Sequence, residues 1–208
     1  LWNSMLFSSL GDWLGLLATT AMAQQLSGGS YATANFAIAG VFIARLLPAV
    51  FLGPIAGVIA DRFDRRRLMF NVDIMRAALY ISIPIVNTYF WLYTAMILVE
   101  CLTLFWSTAK EASVPNLVQR DKLESANQVS LLAAYGTAPI AALLFTFLSL
   151  FTSAINVTFG INSTAVNLSL YVNALSFAFA AFTIWGLKEI PKGAAAKHAA
   201  DAGILKSL

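Results

Sequence analysis

Gly53-Pro-Ile-Ala-Gly57-Val-Ile-Ala-Asp61-Arg62-Phe-Asp64-Arg65-Arg66-Arg67 decides how this chain is read. An apolar helix rich in small residues runs straight into two aspartates and four arginines. A hydrophobic helix that ends in a basic cluster has the pattern of a membrane span emerging on the cytoplasmic side. Composition points the same way: 59% of the 208 residues are hydrophobic and only 11% are charged. A typical soluble domain carries about a quarter of its residues charged, and the mean hydropathy here is +0.75. One globule of this length cannot hide so much apolar surface, so lipid must act as solvent for the rest. The expected fold class is an all-α integral membrane bundle.

Composition also excludes several functions. The net charge of +3 comes from basic residues at helix ends rather than on one solvated face, so no nucleic-acid partner is expected. Cys101 is the only cysteine, which rules out an internal disulfide and a cysteine metal site. His198 is the only histidine and lies in the tail, leaving no serine–histidine pair for intramembrane proteolysis. Neither H-E-x-x-H nor G-x-x-x-x-G-K-[ST] occurs, so neither a zinc protease nor a nucleotide-driven pump is indicated. The chain is therefore expected to be no enzyme and to need no cofactor or metal. It opens on Leu1 without a cleavable signal pattern, which implies a short preceding piece.

A hydrocarbon core about 30 Å thick needs about 20 apolar helical residues. Six segments qualify within residues 1–187: about 2–24, 35–60, 68–87, 90–109, 126–152 and 168–187. Their connections alternate. Residues 25–34, 88–89 and 153–166 carry no Lys, Arg, Asp or Glu. Residues 61–67 carry four arginines, 110–124 carry Lys110, Arg120 and Lys122, and the 188–208 tail carries four lysines. Positive loops stay inside, so both termini are expected in the cytoplasm and 188–208 is read as a cytoplasmic tail or linker. Trp91 and Tyr93 are assigned to the outer interface, and Trp2, Trp106 and Trp185 to the inner one. The triplets at Asn156, Asn162 and Asn167 match the glycosylation pattern in a predicted outer loop.

Gly57, Asp61, Arg62, Arg65 and Arg66 fit G-x-x-x-D-R-x-G-R-[RK], which resembles the loop signature of the major facilitator superfamily of transporters. Asp64 stands where glycine is usual. Ser9-Leu-Gly-Asp-Trp13 looks like the opening helix of an exporter-rich, drug- and secretion-type branch, as does Phe105–Asn127 with Val114-Pro-Asn-Leu-Val118. Ala138-Pro139-Ile-Ala-Ala142 is similar to the Gly-Pro-x-x-Gly signature of proton-driven antiporters, with alanine at both glycine positions. The resemblance implies an N-terminal six-helix half built of two inverted three-helix repeats. It also implies a C-terminal or partner half, a small amphipathic substrate and proton-coupled export. A non-transporting membrane module and a lipid or metabolite transporter are the alternatives.

Ionised side chains at bilayer depth cost at least about 2.5–3.5 kcal/mol on insertion scales, so they mark function. Asp12, Arg45 and Glu100 are the candidates for substrate or proton handling. Asp12 and Glu100 each lie about 15 Å from a helix end, near mid-membrane. Arg45, about 24 Å from Asp61, is expected nearer the outer face, either snorkelling or paired with an acid. Arg62, Arg65 and Arg66 beside Asp61 are expected to form a cytoplasmic gate, with Glu111 as an acidic partner. Asp73 and Arg76 are assigned to that interfacial network. The Gly11-x-x-x-Gly15 and Gly53-x-x-x-Gly57 stripes are expected at close helix contacts.

Overall fold

A computed structural model describes residues 2–60, 63–117, 122–159 and 164–186. Asp61, Arg62, Val118, Asn162 and the 188–208 tail lie outside the described residues, as does the packing around Gly57. Among the described residues seven helices follow one another: α1 (Trp2–Leu26), α2 (Tyr31–Ala60), α3 (Arg65–Val86), α4 (Tyr89–Leu117), α5 (Leu123–Tyr135), α6 (Thr137–Phe159) and α7 (Ala165–Gly186). There is no strand among the described residues. α5 and α6 form one long apolar rod broken at Gly136, so the bundle has six rods. The grouping of α1–α3 and α4–α7 matches the two three-helix units that the resemblance implies.

Local chemistry sets the helix ends. Gly28 and Gly29 take φ of +65° and +91° in the turn between α1 and α2, a conformation glycine adopts without a Cβ penalty. The Asp64 side chain accepts from the Arg67 amide at 3.1 Å and caps α3. This gives a structural reason for aspartate where the loop signature has glycine. Asn87, at φ 51°, ends α3 and donates its amide to the Ile83 carbonyl.

The fifth apolar segment, read in sequence as one span, is two helices for a local reason. Pro139 has no amide to donate to the carbonyl four residues back, and its ring crowds that turn. At Gly136 an added Cβ would sit 2.5 Å from the Leu132 carbonyl oxygen, so the bend tolerates only glycine. Trp13 Nε1 donates to the Ala134 carbonyl at 2.7 Å, satisfying one acceptor beside the break and tying α1 to α5.

Polar α1 residues explain a difference in span strength. Among the described residues five segments are long and apolar enough to cross a membrane: Tyr31–Gly53, Arg65–Val86, Tyr89–Val114, Glu124–Thr158 and Ala165–Gly186. α1 is equally long, but Ser4, Ser8 and Thr19 lower its apolar content, and all three are buried inside the bundle. Outward-facing side chains are apolar and exposed, among them Phe36, Phe90, Leu143 and Phe182. That inversion of the soluble pattern fits a protein whose outer solvent is lipid.

Packing concentrates where α1 meets α7 and α3 meets α7. Cβ atoms added at Gly11 would lie 2.6 Å from Ser176 Oγ, and at Gly15 2.4 Å from the Tyr80 hydroxyl. The Gly11–Gly15 stripe is thus a close contact, as expected. Gly53 is not: nothing lies within 4 Å of its Cβ position, because that face of α2 has no neighbour among the described residues. Gly15→Ala should destabilise the bundle by about 1–3 kcal/mol through overpacking. A denaturant melt of the solubilised protein reads this, and an unchanged midpoint contradicts the packing.

Candidate functional site

Five ionisable side chains from four helices converge in the middle of the bundle. Asp12 comes from α1, Arg45 from α2, Asp73 and Arg76 from α3, and Glu100 from α4. Each lies deep along its helix: Glu100 is 11 residues past Tyr89 and Arg76 is 11 past Arg65, about 16 Å at 1.5 Å per residue. Equal depths on neighbouring helices let the side chains meet.

Arg45 Nε contacts Glu100 Oε1 at 2.9 Å, and its Nη1 reaches the Asp12 carbonyl oxygen at 3.4 Å. Arg45 therefore turns into the bundle, and the snorkelling expectation is set aside. The Glu100 carboxylate supplies a charge-assisted partner that the outer interface would not.

Arg76 holds the cluster together. It is fully buried, and its accounting is nearly complete. Nη1 donates to Ser8 Oγ at 3.0 Å and to Asp73 Oδ1 at 3.2 Å. Nη2 donates to Thr103 Oγ1 at 2.6 Å and lies 3.5 Å from Asp12 Oδ1. Only Nε lacks a partner. The guanidinium also lies 4.7 Å from the Phe177 ring centroid and 5.8 Å from that of Trp106. Trp106 Nε1 in turn donates to Asp73 Oδ2 at 3.1 Å.

Two expectations are corrected by this geometry. Asp73 and Arg76 do not join the cytoplasmic loop network; they are fully buried beside Asp12, because Arg65 starts the helix and puts them two to three turns deep. Trp106 is not an interfacial belt residue; it is 6% exposed, and its indole N–H is used inside. Ser8 and Thr103 escaped sequence reasoning because single hydroxyls in apolar helices give no pattern. Asp73 and Arg76 did leave a signal: three-residue spacing on one helix face, at the depth of Glu100.

At the other end of α4, two arginines of the basic loop reach backbone carbonyls. Arg65 Nη1 donates to the Ala112 carbonyl at 2.8 Å, and Arg66 Nη2 donates to the Trp185 carbonyl. Glu111, the expected acidic partner, is exposed, and no ion pair reaches it among the described residues. Glu111 and Lys110 line a cleft of about 420 Å³ shared with Asn127, Ser130 and Tyr135. Ala138, Pro139 and Ala142 follow the Gly136 break, with Pro139 and Ala142 exposed.

A family model described as transmembrane secretion effector, of the major facilitator type, matches residues 1–166. The chain belongs to the major facilitator superfamily. Among curated relatives, a facilitator-type transporter of Bacillus subtilis, YfiS, is 32% identical over 127 residues. That match covers 61% of this chain and 30% of the relative. Facilitator-type transporters of Mycobacterium bovis and Mycobacterium tuberculosis are each 27% identical over 139 residues, covering 65% of this chain and 31% of each relative. The matched region thus spans about a third of those proteins. No solved structure matches. For this facilitator chain the fold corresponds to the N-terminal six-helix half, and Asp12 and Glu100 lie on α1 and α4, the first helices of its two three-helix units.

Proposed function

We propose that this chain is the N-terminal half of a secondary active transporter that exports small amphipathic compounds in exchange for protons. One observation carries the reading. Among the described residues, the interior cluster holds three carboxylates (Asp12, Asp73 and Glu100) against two guanidiniums (Arg45 and Arg76). An excess negative charge inside a membrane bundle is costly unless a cation neutralises it. A proton is the smallest cation that can do so and leave again.

Asp73 is fixed by Trp106 and Arg76 and serves as scaffold. Glu100 and Asp12 are the exchangeable acids, with side chains 14% and 27% exposed. Protonation of Glu100 frees Arg45, whose guanidinium already reaches the α1 backbone at Asp12. The acid–base exchange is thereby linked to relative movement of α1, α2 and α4, which alternating access requires. The arginine loop closes the cytoplasmic end through its contacts to the α4 and α7 backbones.

In this reading the six rods cross a bacterial-type cell membrane with both termini in the cytoplasm. A second six-helix half covers exposed apolar surface on α2 and α6, such as Val50 and Phe147. The test uses protein containing both halves in vesicles with an imposed pH gradient and a panel of amphipathic cations, anions and neutral compounds. Efflux that accelerates with the gradient and stops with a protonophore is expected. Transport indifferent to the gradient contradicts the coupling.

A further inference from the structure

A shallow apolar groove of about 400 Å³ runs between α3 and α7 on the outer surface of the bundle, lined by Phe70, Ile74, Ala178, Phe182 and Trp185. Its walls are almost wholly apolar, with Phe182 and Trp185 exposed. At its loop end stands Arg66. The guanidinium lies 5.4 Å from the Trp185 ring centroid, and Nη2 donates to the Trp185 carbonyl. Its Nε is buried without a partner. Arg67, next along and exposed, donates its backbone amide to Asp64. Phe70 packs against Trp185 with ring centroids 4.9 Å apart, fixing the wall.

The geometry points to a binding site for one anionic phospholipid, its phosphodiester held by Arg66 and Arg67 and an acyl chain in the α3–α7 groove. The inference rests on the reading that residues 61–67 lie at the cytoplasmic membrane face. Three features select this occupant. The groove is apolar and too shallow to exclude lipid. The Arg66 guanidinium at its mouth, with exposed Arg67 next along α3, calls for an anion that accepts several hydrogen bonds. The Trp185 ring is exposed at the level where amphipathic rings meet headgroups. A bound lipid brings an acceptor within reach of the Arg66 guanidinium and braces the loop against α7.

The purified two-half protein, delipidated in detergent, is offered phosphatidylglycerol or phosphatidylcholine with identical acyl chains, and retained lipid is counted by native mass spectrometry. One phosphatidylglycerol is expected, preferred about tenfold or more, because basic side chains near a lipid surface favour an anionic headgroup over a neutral one. Arg66→Gln combined with Arg67→Gln should abolish the preference. Ala178→Trp, which fills the groove and keeps both arginines, should reduce retention of phosphatidylglycerol. Arg67→Gln alone changes an exposed side chain, so it keeps the fold and should weaken the preference. Equal retention of the two lipids, a preference that survives the double substitution, or release by millimolar inorganic phosphate overturns the site. The assay involves neither cargo nor gradient, so failed proton coupling leaves it untouched. Labelling of Arg67→Cys from either side of the membrane reports a misplaced loop separately.

Discussion

Glu100→Gln should abolish the proposed gradient-driven export while leaving the bundle folded. The two parts of this expectation have one cause. Substituting glutamine leaves Asp12 and Asp73 against Arg45 and Arg76, so the interior charge comes to balance rather than to excess. The glutamine carbonyl can still accept from Arg45 Nε at the 2.9 Å position of Oε1. Nothing charged is orphaned, and the usual penalty for breaking a buried pair does not arise. What disappears is the group able to gain and lose a proton next to Arg45. Proteoliposomes containing both halves, loaded with cargo and given a pH step, measure it. Efflux in the variant should fall to the rate without a gradient, while helical content and detergent-extractable yield match wild type. Efflux that still follows the pH step removes Glu100 from the coupling.

Arg76→Met has the opposite character: it destroys the fold rather than the coupling. Its removal leaves three carboxylates facing one guanidinium and strips partners from Asp73, Ser8, Thr103 and Asp12 together. Removing one member of a buried ionic network typically costs about 3–5 kcal/mol, a large fraction of the 5–15 kcal/mol that holds an ordinary domain together. Arg76→Lys should rescue little. One ammonium cannot reproduce a planar fork that serves Ser8 and Asp73 with one nitrogen and Thr103 and Asp12 with the other. The readout is the folded fraction after extraction, by size-exclusion profile and denaturant melt. A wild-type profile for Arg76→Met contradicts the scaffold role.

Much of the architecture was legible because lipid imposes strict rules on sequence. Apolar length, basic loops and the stretch from Gly57 to Arg67 led to an all-α facilitator half, which the family match and the helical rods support. Asp12, Arg45 and Glu100 stood out because a charge in an apolar helix has few innocent explanations, and the structure brings them together. Asp73 and Arg76 were misassigned for a reason of register. Taking the helix to begin near residue 68 made them interfacial, whereas the Asp64 cap starts it at Arg65 and carries them one turn deeper. The Gly136 break was hidden because a single glycine near a proline in an apolar run is equally compatible with a straight rod. Contacts such as Trp106 to Asp73 depend on helix rotation, which sequence periodicity does not set when all faces are apolar.

Side-selective thiol labelling tests the account's central claim most directly. In a Cys101→Ser background, single cysteines replace the exposed residues Ser30, Arg67, Thr88 and Lys122. A membrane-impermeant maleimide added to intact cells should modify positions 30 and 88 and reach 67 and 122 only after permeabilisation. Modification of position 67 from outside, with 30 and 88 silent, would contradict the arrangement on which the coupling, the gate and the lipid site all depend.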